Sequence, residues 1–503
     1  MKVADSQKLR IIVVSPTNHF VFTPMLASAS VGTVEYRSMT EAVRAANPMI
    51  HDYIEGKATS LDVNTKTVTV QLNNLLTTTT KQEELPPTID IPYDHLVVSV
   101  GSRVDDKNVP GAREYALRLK TTDDARALRT AVGECFEYAS RPDVSRETTP
   151  EAQAEKTRRI TFLIAGGGPT GVELAGELCD LFSDITRPHK GSYPKLANNT
   201  RVILAHGGPQ LVPQFEEPLR EQALQSLRNK GVQVFLNTRV TEVTDKSATL
   251  SIKQFDQDTG RVLQDRQELT IPVGLTVWCA GTAPAEFCQK LLQQLPEEAR
   301  NPDGRIKVDP WMRPPMKDPS LLGSVLVLGD AAAQAKGDVE HPDWLLPSTA
   351  QVAGQQGAYV ARNLCRNYNL TTTPPALMVP DEYTPSMMLS GGIMELPQPS
   401  TVKSTDNDVF YDPALSNWLY FRGLEKAPPF TFLNLGMLAY LGGGEALSQV
   451  QVGDTPVVSE AGSVGFFLWR SVYLVKQVAT RNRVLVTFDW FKSALFGRDT
   501  TRL

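Results

Sequence analysis

Gly166, Gly168 and Gly171 follow directly on the apolar run Ile160–Ala165 and precede a helix-like stretch. In a dinucleotide turn each of these glycines has separate work. The first permits the tight bend, the second lets backbone N–H groups approach a pyrophosphate, and the third lets the helix pack close to the strand. Pro169 and Thr170 suit a helix start, whose field favours phosphate. A glycine-rich loop that binds nothing is the alternative, and the flanking strand and helix weigh against it. Sites of this kind hold the adenosine ribose with an acid at the tip of the second strand. Here that strand is Thr200–Ala205, and His206, Gly207 and Gly208 follow with neither an acid nor an obvious arginine clamp. His206 can bond a ribose hydroxyl or, when protonated, attract a 2′-phosphate, so NADH and NADPH both stay open. A loop histidine facing water is the plain reading.

A second candidate is Gly329-Asp330, after the apolar run Ser324–Leu328. A carboxylate at the tip of a buried strand can accept a hydrogen bond from the polyol of a flavin, while the small Ala331–Ala333 run would let a helix N-terminus approach its pyrophosphate. An Asp that merely caps that helix is the alternative. Coming after a first dinucleotide turn, the flavin reading is favoured.

The elements that must position these residues read as an α/β chain. Strands are expected at Leu9–Val14, within 57–72, at 93–104 ending on Gly101, at 201–205, 232–236, 240–252 and 262–272, at Leu275–Ala280 and at Ser324–Leu328; helices are expected at 171–185 and 217–230. Alternation of this kind predicts a parallel sheet with helices on both faces. Residues 141–157 read as a linker, 76–90 as an exposed loop, and 369–415 as an insertion of limited order. At 503 residues with 41% hydrophobic side chains, the chain can bury the cores of about three domains. A net charge of −5 excludes general nucleic-acid binding. The five cysteines, Cys135, Cys179, Cys279, Cys288 and Cys365, form no C-x-x-C pair, which disfavours a dithiol redox centre or a disulfide framework. No metal-binding or EF-hand pattern is present, and no apolar run reaches the roughly 18 residues of a spanning helix.

Taken together, VVSPTNHFVFTPML (13–26), SVGTVEYRS (30–38), YDHLVVSVG (93–101), AGGGPTGVELAGEL (165–178), TVWCAGT (276–282), VLGDAA (327–332), LPSTAQVAGQQGAYVA (346–361) and LNLGMLAYLGGGEA (433–446) resemble the type II, rotenone-insensitive NADH:ubiquinone oxidoreductases. The likeness runs from about residue 9 to the end. The glycine turn is generic to pyridine-nucleotide flavoproteins, whereas TAQVAGQ with LGMLAYLG is specific to this family. The resemblance implies a glutathione-reductase-like flavoprotein with two dinucleotide-binding domains and a C-terminal membrane-associating helical region. It divides the chain into an FAD domain at 1–140 and 286–368, an inserted NAD(P)H domain at 157–285, a variable segment at 369–430, and an anchoring or dimerising region at 431–503.

The resemblance further implies FAD bound by Gly101, Gly329, Asp330, Ala350 and Val352. It implies NADH, or NADPH, held by Gly166, Gly168, Gly171, His206, Ala280 and Gly281, and a ubiquinone channel bordered by Gln351, Gln355 and Tyr440. Gln351 and Gln355 are four apart and share a helical face; an exposed Gln pair and a core tyrosine are the ordinary alternatives. Glu173, two residues beyond the third glycine, is expected near the nicotinamide and flavin as a proton relay or carboxamide partner. A structural helix-start acid is the other reading.

From Arg470 onward seven basic residues stand against two acidic ones, interleaved with the apolar VGFFLWRSVYLV (464–475). That pattern suits a peripheral anchor on anionic lipid, here a mitochondrial inner membrane, or a homodimer contact. One departure concerns the amino terminus. The family places a strand, G-x-G-x-x-G and helix before LRIIVVSP, and the eight residues MKVADSQK cannot build them. Either the sequence is a piece of a longer protein, the favoured expectation, or FAD affinity is lost. The expected function is non-proton-pumping transfer of a hydride from NAD(P)H to FAD, then of two electrons to ubiquinone. The alternatives are a soluble NAD(P)H-dependent reductase of the same fold and an inactive membrane-bound partner.

Overall fold

The computed structural model describes residues 10–48, 50–73, 87–146, 149–255, 262–337, 344–366, 368–378, 422, 424–452 and 455–501. The amino-terminal MKVADSQK and most of the 369–415 insertion therefore lie outside the described residues. The chain divides into two compact units, residues 1–18, 43–103 and 283–433 in one, and 19–42, 104–282 and 434–503 in the other.

In the first unit the strand Ile12–Ser15 pairs in parallel with Asp52–Asp62, Ile12 opposite Asp52. Asp52–Asp62 then pairs antiparallel with Thr67–Leu72, and that strand with Thr88–Pro92. The expected strand at 93–104 breaks after Leu96–Val98, where Gly101 takes φ +65°. Leu96–Val98 runs parallel to Val325–Val327. Val325–Val327 is buried on both faces, as its unbroken apolar run requires. Val70, Cys288, Leu291, Val325 and Val327 form the core of this unit. After Gly329–Ala331 the small residues do not begin a helix, contrary to expectation. Ala332–Gln334 is a strand, paired in parallel with Ile306–Val308, and the helix comes later, at Ala350–Cys365.

The second unit is built on a parallel sheet ordered Gln233–Phe235, Arg201–Ala205, Thr161–Ala165, Leu275–Trp278, Ala116–Arg118. All five residues of Thr161–Ala165 are buried, so the strand that feeds the glycine turn sits mid-sheet. Helices Pro169–Ile185 and Glu217–Asn229 cross over between its strands. A three-stranded antiparallel sheet, Thr238–Val243, Ser247–Phe255 and Val262–Pro272, follows. The stretch expected to be a linker contains the helix Pro150–Arg159. Thr149 caps it by accepting from Ala152 N at 3.3 Å, and Glu155 pairs with Arg158 at 2.6 Å; local capping and charge pairing outweigh a composition that reads as loop.

The chain's end belongs to this second unit. Strands Met437–Gly442, Glu445–Val452 and Thr455–Glu460 form an antiparallel meander, followed by helices Gly462–Val475 and Thr480–Phe496. Gly176 makes the meander's seat possible, because a Cβ there would lie 2.5 Å from the Leu441 carbonyl carbon. Among the described residues no helix is long and apolar enough to cross a membrane.

Candidate functional site

The turn between Thr161–Ala165 and Pro169–Ile185 gives each glycine a physical reason. Gly166 takes φ +117°, and a Cβ on it would meet the Cys279 and Ala280 backbone at 2.7–2.9 Å. Gly168 is the N-cap, and a Cβ there would stand in open space. Gly171 faces inward, where a Cβ would lie 1.9 Å from the Gly166 carbonyl oxygen. The helix is thereby pressed onto its own turn, with its first N–H groups free of intrahelical acceptors. Opposite them, Gly281 takes φ +82° against the Lys107 side chain, and the Trp278 indole donates to the Asp105 and Ala280 carbonyls at 2.8 and 3.0 Å.

His206 stands against the turn itself. Its Nδ1 accepts from Gly167 N at 3.1 Å, and burial holds its pKa below the usual histidine value. Protonating Nδ1 would break that bond, so the ring braces the turn as a neutral imidazole and does not attract phosphate as a cation. A residue the sequence did not flag lies at the same tip. Arg239 begins beside Gly207, where a Cβ would sit 3.4 Å from Arg239 Cγ. It is brought there because Asn237 and Thr238 donate backbone hydrogen bonds to Gly208 and His206.

Glu173 is not a first-turn acid. It is the fifth residue of its helix and points into the interior, 7% exposed. There it accepts from Tyr440 N at 3.3 Å and from the Tyr473 hydroxyl at 3.2 Å. Burial pushes its pKa up to about 8, against the lowering effect of those bonds. Glu173, Glu177, Asp180 and Asp184 follow one another at helical spacing on the face turned to the meander and tail. Tyr440 is buried there: its hydroxyl donates to Asp180 Oδ2 at 2.6 Å, and its ring stacks on Trp469 at 5.1 Å. Ser28 and Thr33 donate to Glu177. Arg498 lies 3.3–3.4 Å from Glu177, Asp180 and Asp184.

In the first unit, Gly329 (φ +68°) would press a Cβ against Ala353 at 3.2 Å. Its N–H donates to Gln356 Oε1 at 2.7 Å, and Gln356 in turn donates to Gln334 at 2.8 Å. Gln356, buried and unforeseen, therefore ties the Gly-Asp turn to the helix carrying Ala350, Gln351 and Val352. The caps of that helix include Thr349, which accepts from Val352 N. Ser102 donates to Asp330 Oδ2 at 2.8 Å. Gln355 makes a two-point bond with the Leu433 backbone, 2.8 and 3.0 Å, which fixes its amide. Gly101 leaves open space where a Cβ would stand. The donor set, the cradle at Gly101 and the carboxylate at a strand tip fit a flavin nucleotide.

Three of the tail's basic residues are paired with carboxylates of the same unit. Arg481 pairs with Glu41 at 3.4 Å, Lys492 with Glu35 and Asp489 at 3.6 and 3.7 Å, and Arg498 with its three carboxylates. Arg483 donates to the Val475 carbonyl. One outward stripe is apolar: Val484, Phe488, Phe491 and Leu495, at helical spacing, are each 60–63% exposed, while Lys476, Arg481 and Arg483 are exposed beside it. All five cysteines are free, and burial pushes the Cys179 and Cys279 thiols up to about 12. No group of residues suited to a metal occurs among the described residues.

Residues 1–357 match the family model for pyridine nucleotide-disulphide oxidoreductases, and 434–499 that of the NDH2 C-terminal domain. The chain belongs to the pyridine nucleotide-disulphide oxidoreductase family. Within it the chain is a member of the type II NADH dehydrogenases. It is 32% identical over 502 residues to a probable NADH dehydrogenase of Dictyostelium discoideum, covering 99% of this chain and 87% of that one. It is 30% identical to a probable mitochondrial NADH-ubiquinone oxidoreductase of Schizosaccharomyces pombe, over 100% of this chain and 81% of the relative. Its fold is that of NDH2 from Plasmodium falciparum in complex with NADH, with a TM-score of 0.74, 19% identity, and coverage of 99% and 96%.

Proposed function

We propose that this chain is a non-proton-pumping NAD(P)H:ubiquinone oxidoreductase, a peripheral enzyme of the mitochondrial inner membrane. The observation that carries this reading is the glycine turn whose Gly168 opens to space while Gly171 is pressed onto Gly166. That geometry suits a dinucleotide pyrophosphate. The relatives named NADH-ubiquinone oxidoreductase supply the acceptor. FAD held there would supply the two-electron redox chemistry between NAD(P)H and ubiquinone.

The chain's own residues do the holding. Gly166, Gly168 and Gly171 seat the NAD(P)H pyrophosphate, Ala280 and Gly281 shape the opposite wall, and His206 keeps the turn rigid. Gly101, Gly329, Asp330 and the helix start at Ala350 and Val352 hold FAD, with Gln356 as their brace. Gln351 and Gln355 border the ubiquinone site, and the bond from Gln355 to Leu433 presets its amide for that contact. Tyr440, which the resemblance placed at that site, is buried in the second unit, where its hydroxyl donates to Asp180 and its N–H to Glu173. Glu173 keeps a proton at neutral pH and is suited to proton exchange with the quinone. The 157–285 nucleotide domain and the 1–140 and 286–368 flavin segments are part of the same reading. So is an association with the membrane through Val484, Phe488, Phe491 and Leu495, and a homodimer through the tail.

The test is NADH oxidation by the flavin-loaded full chain in ubiquinone-containing liposomes. Rotenone-insensitive quinone reduction without proton uptake into the lumen is expected. Flavin-loaded protein that oxidises NADH only with soluble dyes would overturn the quinone assignment in favour of the soluble reductase.

A further inference from the structure

Beyond the redox site, the two tail helices and the nucleotide helix enclose a cleft of about 590 Å³. Nine buried side-chain polar atoms lack a hydrogen-bond partner among the described residues, and one of them, Arg470 Nε, belongs to a side chain lining this cleft. An orphaned donor on a cleft wall asks for an acceptor.

The charges say which kind. Glu177 and Asp184, on the cleft wall, are already matched by Arg498, and Asp184 also by Arg187 at 3.3 Å. Arg470 has no carboxylate partner among the described residues. Its guanidinium is sandwiched between Phe466 and Trp490, 4.5 and 4.8 Å from the ring centres, and burial holds its pKa below the usual arginine value. A half-buried cation held by rings, with the Glu177 charge acting on it without an ion pair, is only partly compensated, and an anion beside it restores the balance. Lys190 lines the same cleft. At its rim stand Leu495, which belongs to the outward apolar face, and Phe496, 79% exposed.

We propose that this cleft seats the phosphodiester headgroup of an acidic membrane phospholipid. Arg470 and Lys190 neutralise it, the Arg470 guanidinium donates to it, and its acyl chains run out over Leu495 and Phe496. The inference rests on the membrane-surface part of the proposed function. It adds a defined lipid site to what is otherwise a nonspecific apolar contact.

Trp469 and Trp490 line the cleft, so the full chain reports occupancy by its own fluorescence. The probes are dihexanoyl phosphatidylglycerol below its micelle concentration, dihexanoyl phosphatidylcholine, and inorganic phosphate. A saturable one-to-one change with phosphatidylglycerol alone is expected. Arg470→Gln should weaken it about tenfold, Arg470→Lys should keep most of it, and Lys476→Gln, outside the cleft, should leave it within about twofold. Equal responses to the two lipids, an equal response to inorganic phosphate, no response at all, or equal losses in Arg470→Gln and Lys476→Gln would each overturn the site. Sedimentation with phosphatidylcholine vesicles reads the apolar face separately. Vesicle binding without a cleft response sinks the lipid site alone; loss of both sinks the membrane reading with it.

Discussion

Replacing Glu173 with glutamine isolates the buried carboxyl from everything around it. In the folded protein that carboxyl titrates at about 8, against an ordinary value of 4.5. The folded-state value is the higher one, so below about pH 4.5 both states hold the proton and the group costs nothing. As pH rises toward 8 the unfolded chain releases its proton while the folded chain keeps it, and stability falls by about 1.4 kcal/mol per unit. Between about pH 5 and pH 8 this one group removes about 4 kcal/mol. Glutamine keeps an oxygen to accept from Tyr440 N and the Tyr473 hydroxyl, and carries no charge at any pH. Glu177, one turn away and also raised by burial, adds to the rise at Glu173 through its charge. Guanidinium unfolding of flavin-loaded protein across this range should show Glu173→Gln gaining on the wild type by about 3–4 kcal/mol as pH rises. Parallel stability curves would refute the buried, proton-holding glutamate. In the same variant FAD should stay bound while quinone reduction slows, and unchanged turnover would remove Glu173 from the reaction.

Gly171→Ala forces a methyl to within 1.9 Å of the Gly166 carbonyl oxygen unless the turn moves, so the KM for NADH should rise about tenfold or more with the fold intact by circular dichroism. Arg239→Ala should raise the KM for NADPH about tenfold and leave that for NADH within about twofold, in steady-state assays with each nucleotide. A double Phe488→Ser, Phe491→Ser variant loses two outward rings, and sedimentation with phosphatidylcholine vesicles should show affinity down at least about thirtyfold, from the apolar area withdrawn. Soluble dye reduction by that variant should be unchanged.

Much of the nucleotide half was legible because its signals are local. The strand Arg201–Ala205 falls within one residue of its expected bounds, and the helices at Pro169–Ile185 and Glu217–Asn229 within two. Apolar runs, glycine spacing and prolines at helix starts act over a few residues, and a single chain displays them. The linker reading at 141–157 failed for the same kind of reason: Thr149 as a cap and the pairs made by Glu155 are helix signals that composition hides. The roles of single side chains were less legible. For His206 the sequence offers a ribose or phosphate contact or a plain loop histidine, and it does not show the bond that Nδ1 accepts from Gly167 N, 39 residues earlier.

By itself, then, the sequence determined the family, the two glycine-bearing turns and the parallel sheet that carries them, since each depends on residue types at fixed short spacing. Only the tertiary structure decided what the charged residues do. Glu173 meets Tyr440 and Tyr473 from 267 and 300 residues away, and Arg498 meets Glu177 from 321. Three of the tail's cations, counted in sequence as part of a surface for lipid, are matched inside the second unit. Partners of that kind are chosen by how the strands and helices pack, and a buried charge takes whichever counter-charge the packing brings within reach.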